Sequence, residues 1–219
     1  MSSGKRTRLT DELHAYMLDH NPPPGPAQRK LIELTHSRLP QAAGMQVAQE
    51  QGPLLAFLVR LTQARFVVEV GTFTGLSSLS MAQSLPADGA LLTCDVSEEW
   101  TAYAREAWEE AGVADRIELR IAPATETLAG LPKEPHIDLA FVDADKENYI
   151  PYWEELVPRM RPGGLLVVDN VFMGGGVTDE QPTGAAAAIK EFNEHVRADD
   201  RVESVMLPVA DGVTLARKR

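Results

Sequence analysis

A chain of 219 residues suits one good core and is short for two, because single α/β domains commonly fill this range. Thirty-two acidic against twenty-one basic residues leave a formal net charge of −11; such a field repels a polyphosphate backbone, and KRTR at 5–8 and RKR at 217–219 are the only basic clusters that could offset it. Nucleic acid is therefore not an expected partner, and no segment approaches the ~20 uninterrupted apolar residues of a membrane-spanning helix.

The start, MSSGKRTRLTDEL, leads into no apolar signal region, so the cytoplasm is the default location. Residues 11–20 have mixed helical character. NPPPGP at 21–26 breaks that pattern, and AQRKLIELTHSRL resumes an amphipathic helix before Pro40. We take 1–48 as a helical N-terminal extension and 49–219 as the core of one domain. From about residue 50, apolar helices alternate with short β-branched runs, the pattern of successive βαβ units around a parallel sheet. QGPLLAFLVRLTQ predicts a helix, FVVEV (66–70) a strand, and GLSSLSMAQSL a helix. ALLTCDV (90–96) predicts a second strand, with Cys94, the only cysteine, as an inert buried residue; an internal disulfide and a thiolate-rich zinc site are excluded. SEEWTAYAREAWEEAG follows as a helix with Ser97 as its N-cap and Gly112 as its stop. IELRIA (117–122) and HIDLAFVDA (136–144) are the next strands, YIPYWEELVPRM a helix, and GGLLVVDN (163–170) the fifth strand. A glycine-rich loop, a helix through AAAAIKEFNEHVRA and a hairpin of RVESVMLPV with GVTLARKR close the chain. The expected architecture is a Rossmann-like, doubly wound α/β fold, its seven-stranded mixed sheet ending in an antiparallel pair.

Ligands of such sheets bind at the carboxyl ends of the strands, where Glu69, Asp95, Asp143, Asp145, Asp169 and Asn170 all fall. EVGTFTG (69–75) turns sharply between strand and helix, but lacks both the three glycines of a dinucleotide site and the lysine of a phosphate-binding loop. Glu69 would repel a pyrophosphate yet can accept hydrogen bonds, and Asp95 stands where an acid accepts ribose hydroxyls. An acidic pair around a glycine turn suits a positively charged nucleoside, of which S-adenosylmethionine is one.

EVGTFTG with Cys94-Asp95 resembles class I S-adenosylmethionine-dependent methyltransferases. The fuller set, MQVAQEQGPLL, FVDADKENY, VVDNV and DGVTLARK, resembles their cation-dependent O-methyltransferases, similar to the caffeoyl-CoA and catechol enzymes and to bacterial small-molecule ones. This resemblance runs from about residue 28 to the C-terminus. It implies that Met45 and Val47 close over the cofactor, and that Glu69, Gly71, Thr72 and Ser77 surround its methionyl portion. Asp95 would hold the ribose, Ala124 would lie near the adenine, and Asp145 would contact the cofactor.

Asp143 follows the fourth strand and Asp169-Asn170 the fifth, and neighbouring strands lie only ~4.8 Å apart. Three hard oxygen donors without a cysteine suit Mg²⁺, Mn²⁺ or Ca²⁺ and leave positions open for a substrate. Asp-Asn alone equally makes an Asx-turn; the addition of Asp143 favours the metal. By the resemblance, the ion chelates two adjacent oxygens of a catechol-like phenolic acceptor, and Lys146 is the general base. Outside such a cluster, Lys146 would read as a surface lysine paired with Glu147 or Asp145. A homodimer is implied by the same family, with the N-terminal helices contributing.

The five histidines have no ligand or triad spacing, and no G-x-S-x-G elbow appears. Trp100, Trp108, Tyr149, Tyr152 and Trp153 fall on helical segments and read as packing, with Tyr149 close to Lys146. Met173 and Gly174 depart from the family pattern beside the acceptor, and the three consecutive glycines at 174–176 suggest a mobile lid. A nicotinamide-dependent oxidoreductase and a non-catalytic nucleoside-binding protein remain as alternatives on the same sheet.

Overall fold

Seven strands form one sheet in the order β3-β2-β1-β4-β5-β7-β6 in the computed structural model, which describes residues 7–219. The strands are β1 (Phe66–Val70), β2 (Ala90–Asp95), β3 (Ile117–Ile121), β4 (Ile137–Val142), β5 (Met160–Val168), β6 (Val202–Leu207) and β7 (Val213–Lys218). β1 to β5 pair in parallel, whereas β7 runs antiparallel to both β5 and β6. Lys5 and Arg6 of the N-terminal basic cluster, and the chain start read for export, lie outside the described residues. Among the described residues, no helix is long and apolar enough to cross a membrane.

Both faces of the sheet are apolar because both are covered. Val67, Leu91, Leu139 and Val167 point to one side and pack on α3 (Gln51–Leu61) and α4 (Leu76–Ala82). Their neighbours Val68, Leu92, Ala140 and Val168 point to the other, against α6 (Ala124–Ala129), α7 (Tyr149–Leu156) and α8 (Gly184–Ala198). This alternation of two buried faces is why the strands read as continuous apolar runs. Before α3 come α1 (Asp11–His20), which buries no residue, and α2 (Pro26–Arg38), whose Leu31 packs with Leu79 of α4 and Ala104 of α5 (Glu98–Glu110). Ser97 caps α5 by accepting from the Trp100 N–H at 3.1 Å, and Gly112 leaves it at φ +68°.

The structure departs from the sequence reading in two elements. α6, unforeseen, occupies ATETLA between Pro123 and Gly130. β5 begins at Met160, three residues before the predicted start, running through Pro162 and Gly163 with a register shift against β4.

Candidate active site

The sheet order reverses between β1 and β4, so the chain leaves these two strands in opposite lateral directions and a crevice opens at their carboxyl ends. A cavity of about 700 Å³ fills it, a size that suits a small-molecule site. Backbone hydrogen bonds continue past the strand ends and fix what lines it. Gly71 N–H donates to Cys94 O at 3.0 Å, Asp143 N–H to Val70 O at 2.9 Å and Asp169 N–H to Val142 O at 3.0 Å. Asp143 and Asp169 are thereby placed side by side.

The turn after β1 needs its glycine. Gly71 sits at φ +98°, and a Cβ there would lie 1.9 Å from the Asp143 carbonyl oxygen, so only glycine lets β1 and β4 approach at this point. Asp95 holds the turn from the β2 side. Its Oδ2 accepts the Thr72 and Phe73 N–H groups at 3.1 and 2.7 Å, and its Oδ1 accepts Ser97 N–H at 2.8 Å. Gln46 bridges the Thr35 and Thr74 hydroxyls at 3.1 Å each, fixing the segment that carries Met45 and Val47 to the cavity's rim.

Twelve of the thirteen residues singled out from sequence line this one cavity: Met45, Val47, Gly71, Thr72, Ser77, Asp95, Ala124, Asp143, Asp145, Lys146, Asp169 and Asn170. Glu69 does not. It points between β1 and α4, fully buried, and Thr93 Oγ1 donates to its Oε2 at 2.6 Å while Oε1 finds no hydrogen-bond partner among the described residues. Burial pushes its carboxyl up to about 8, with the Ser77, Thr93 and Ser78 hydroxyls offsetting part of the effect. Glu69 is thus a neutral acid at pH 7. It touches the cavity through a relay, since Thr93 Oγ1 lies 2.5 Å from the hydroxyl of the lining Thr72.

At the other end, Lys146 Nζ donates to Asn170 Oδ1 at 2.6 Å, to Tyr149 Oη at 2.7 Å and to Asp143 Oδ1 at 2.9 Å. Asn170 adopts φ +57°, which asparagine tolerates better than most side chains. Asp169 Oδ1 accepts the Asn170 N–H at 2.7 Å. Burial, then the negative charge of Asp143, raise the Asp169 carboxyl to about 6, against the Gln51 side chain, the Asn170 N–H and Lys146. The Asp143 carboxylate and the Asn170 amide oxygen meet on one ammonium with the Asp169 carboxyl beside Asn170, a donor set that fits a hard divalent cation. Asp145 is held separately, its Oδ1 accepting Tyr152 Oη–H at 2.6 Å and its Oδ2 the Asn148 amide.

A family model described as O-methyltransferase matches residues 25–219. The chain belongs to that O-methyltransferase family. A Dictyostelium discoideum protein described as a probable caffeoyl-CoA O-methyltransferase is 36% identical over 97% of this chain and 94% of its own length. A Mus musculus catechol O-methyltransferase domain-containing protein is 39% identical over 94% of this chain and 79% of its own. The crystal structure of the Streptomyces achromogenes O-methyltransferase TomG, solved with S-adenosylmethionine, superposes with a TM-score of 0.86 at 32% identity, covering 94% of this chain and 96% of that one. Family membership sets aside the nicotinamide oxidoreductase.

Several contributors to this O-methyltransferase site escaped the sequence reading. Trp100, taken for packing, lines the cavity and meets Phe73 edge-on at 5.3 Å between ring centres; Trp108, Tyr149, Tyr152 and Trp153 are buried as read, although Tyr149 and Tyr152 also hold site residues through their hydroxyls. Gln51, 3% exposed, reaches Asp169 from α3, and Ala210 and Asp211 enter from the β6–β7 turn. Gln51 and Asp211 fall within the quoted stretches MQVAQEQGPLL and DGVTLARK but were given no role there, and Trp100 and Ala210 have no motif of their own; all arrive from elements distant in sequence from Asp143. A different cluster, Glu154, His195 and Asp199, is an ion-pair network: Arg201 donates to Glu154 and Asp199 at 2.7 Å each and holds both carboxyls below their usual range.

Proposed function

We propose that this O-methyltransferase transfers the methyl group of S-adenosylmethionine to one hydroxyl of a catechol-like vicinal diol, with a divalent cation, Mg²⁺ or a similar hard ion, held by Asp143, Asp169 and Asn170. The observation that carries the reading is the convergence of Asp143 Oδ1 and Asn170 Oδ1 on a single Nζ, with the buried Asp169 beside them. Thr72, Ser77, Asp95, Ala124 and Asp145 line the half of the cavity assigned to the cofactor, and Met45 and Val47 its rim. Glu69 supports that half from beneath.

When bound, the cation supplies positive charge at the diol and eases loss of one hydroxyl proton. Lys146 is the general base: its Nζ, which here donates to Asp143, Asn170 and Tyr149 as an ammonium, would first give up one of its own protons and then, as the neutral amine, take the proton of the diol. Tyr149 keeps Nζ there. The Tyr149 hydroxyl accepts from Nζ and donates to the Asp169 carbonyl at 3.3 Å, and burial with the nearby carboxylates keeps this phenol far above its usual pKa, hence protonated. The chain's remaining task is alignment in a walled cavity, which direct displacement needs most.

The test is methyl transfer from labelled S-adenosylmethionine to a catechol. Activity should vanish in EDTA and return with Mg²⁺; full turnover in chelator refutes the metal role. A homodimer belongs to the same reading, supported by α1, which buries nothing and exposes Leu13 and Tyr16. Light scattering at micromolar concentration should give twice the monomer mass, and a monomer mass would dismiss it.

A further inference from the structure

The stretch 42–48 crosses the rim of the cavity with little structure of its own: one short 3₁₀ turn, Ala43–Met45, and then extended chain at Gln46. Met45, Gln46, Val47 and Ala48 all line the cavity. The hydrogen bonds of its backbone are local. Ala42, Met45 and Gln46 donate to the carbonyls of Leu39, Ala42 and Ala43, and the Ala48 N–H donates to Gln51 Oε1 at 2.7 Å. Among the described residues, the only hydrogen bonds that tie this stretch to the rest of the fold come from the Gln46 side chain.

That side chain turns inward. Its Nε2 donates to Thr35 Oγ1 on α2 and to Thr74 Oγ1 in the turn after β1. The two hydroxyls lie 3.0 Å apart, are buried, and neither threonine lines the cavity. Thr35 has a single hydroxyl proton, for Leu31 O at 2.8 Å or for Thr74, which leaves its oxygen free to accept from Gln46. The turn that carries Thr74 is itself immobilised. Asp95 holds its Thr72 and Phe73 N–H groups, and α5 presses on it so closely that a Cβ on Gly75 would meet Ala104 at 2.5 Å. Gln46 hangs the rim on this fixed turn and on α2.

We infer that Gln46, Thr35 and Thr74 form a positioning cluster that fixes the rim before the cofactor binds, so that α2, which gives no residue to the cavity, sets cofactor affinity from behind it. The inference rests on the cofactor placement above. A rim already held in place has less conformational freedom to lose on binding, and a freed rim weakens affinity accordingly. The coupling is reciprocal: bound cofactor holds α2 more firmly.

The experiment titrates S-adenosylhomocysteine into wild type, Gln46→Leu, Thr35→Val and Thr35→Ser by calorimetry, with the Tm of each unliganded protein recorded alongside. Gln46→Leu should raise Kd about tenfold and Thr35→Val about threefold. Thr35→Val keeps the methyl group and removes the hydroxyl, whereas Thr35→Ser does the reverse, so Thr35→Ser should bind within about twofold of wild type. The double variant of Gln46→Leu with Thr35→Val should bind no more weakly than Gln46→Leu alone, because both remove one network. In methyl transfer, Thr35→Val should raise the KM for S-adenosylmethionine more than it lowers kcat. Added S-adenosylhomocysteine should slow hydrogen exchange across α2 in wild type and not in Gln46→Leu. If the variants fail to fold, the wild-type exchange carries the test. Thr35→Val binding as wild type, Thr35→Ser binding more weakly than Thr35→Val, or no slowing of exchange in wild-type α2 overturns the inference and leaves the cofactor reading standing. A wild type that binds no S-adenosylhomocysteine overturns the cofactor reading itself.

Discussion

Replacing Glu69 by Gln should flatten the response of stability to pH. The folded chain keeps a proton on Glu69 up to about pH 8, whereas the unfolded chain releases it above about 4.5. The proton's contribution to stability is therefore complete below about 4.5, falls by about 1.4 kcal/mol for each pH unit above that, and is gone once the buried carboxyl ionises near 8. Asp169, raised to about 6, acts with the same sign, but its change is complete by neutrality. Between about pH 6.5 and 7.5 Glu69 should dominate, so the unliganded wild type should lose about 1 kcal/mol, or about 3 °C in Tm. The glutamine variant keeps an oxygen for the Thr93 hydroxyl and has no proton to exchange. Thermal and urea unfolding of both proteins at fixed ionic strength would measure the difference in slope. Parallel pH profiles would mean that Glu69 is ionised in the folded state and that the reading of its burial is wrong.

Two further substitutions probe the rest of the site. Lys146→Ala should lower kcat by about 10²–10³-fold while leaving the Kd of S-adenosylmethionine within about twofold, as measured by stopped assays and calorimetry; an unchanged kcat removes Lys146 from the chemistry. Gly71→Ala puts a Cβ onto the Asp143 carbonyl at a positive φ, which combines overpacking with backbone strain, so urea unfolding should show a loss of about 3 kcal/mol or more. A loss under about 1 kcal/mol would show that the turn relaxes freely.

The fold was legible in sequence wherever side chains repeat a local rule. β1 was read to the residue because FVVEV is β-branched and bounded by charge and glycine, and Ser97 and Gly112 marked α5 because capping is a short-range interaction. α6 escaped because six residues complete fewer than two turns and show no period. β5 was read short because a helix was carried through Met160 and Pro162 ordinarily breaks a strand, yet here both occupy a stretch with a register shift beside β4. The site followed the same division. Residues one or two positions beyond a strand end were found, since topology alone puts them at the crevice. Glu69, expected around the methionyl portion of the cofactor, stands fully buried behind the lining residues Thr72 and Ser77, because strand alternation turns it toward α4. Gln51, Trp100 and Asp211 come from three other elements, and only tertiary packing brings them in.

The contact between Gly71 and the Asp143 backbone divides the site into parts that can and cannot change separately. One side of that contact belongs to the turn that lines the cofactor's half, the other to the carboxylate proposed for the cation, and no atom-sized gap lies between them. A substitution that shifts either by a few tenths of an ångström must shift both. The wall formed by Met173, Ala210 and Asp211 is hung on the two loops beyond β5 and β6, which are locked to each other where a Cβ on Gly212 would meet the Phe172 ring at 2.5 Å but make no such contact with the Gly71 turn. New acceptors can therefore be accommodated there by loop exchange, while the methyl-transfer apparatus is inherited as a single block.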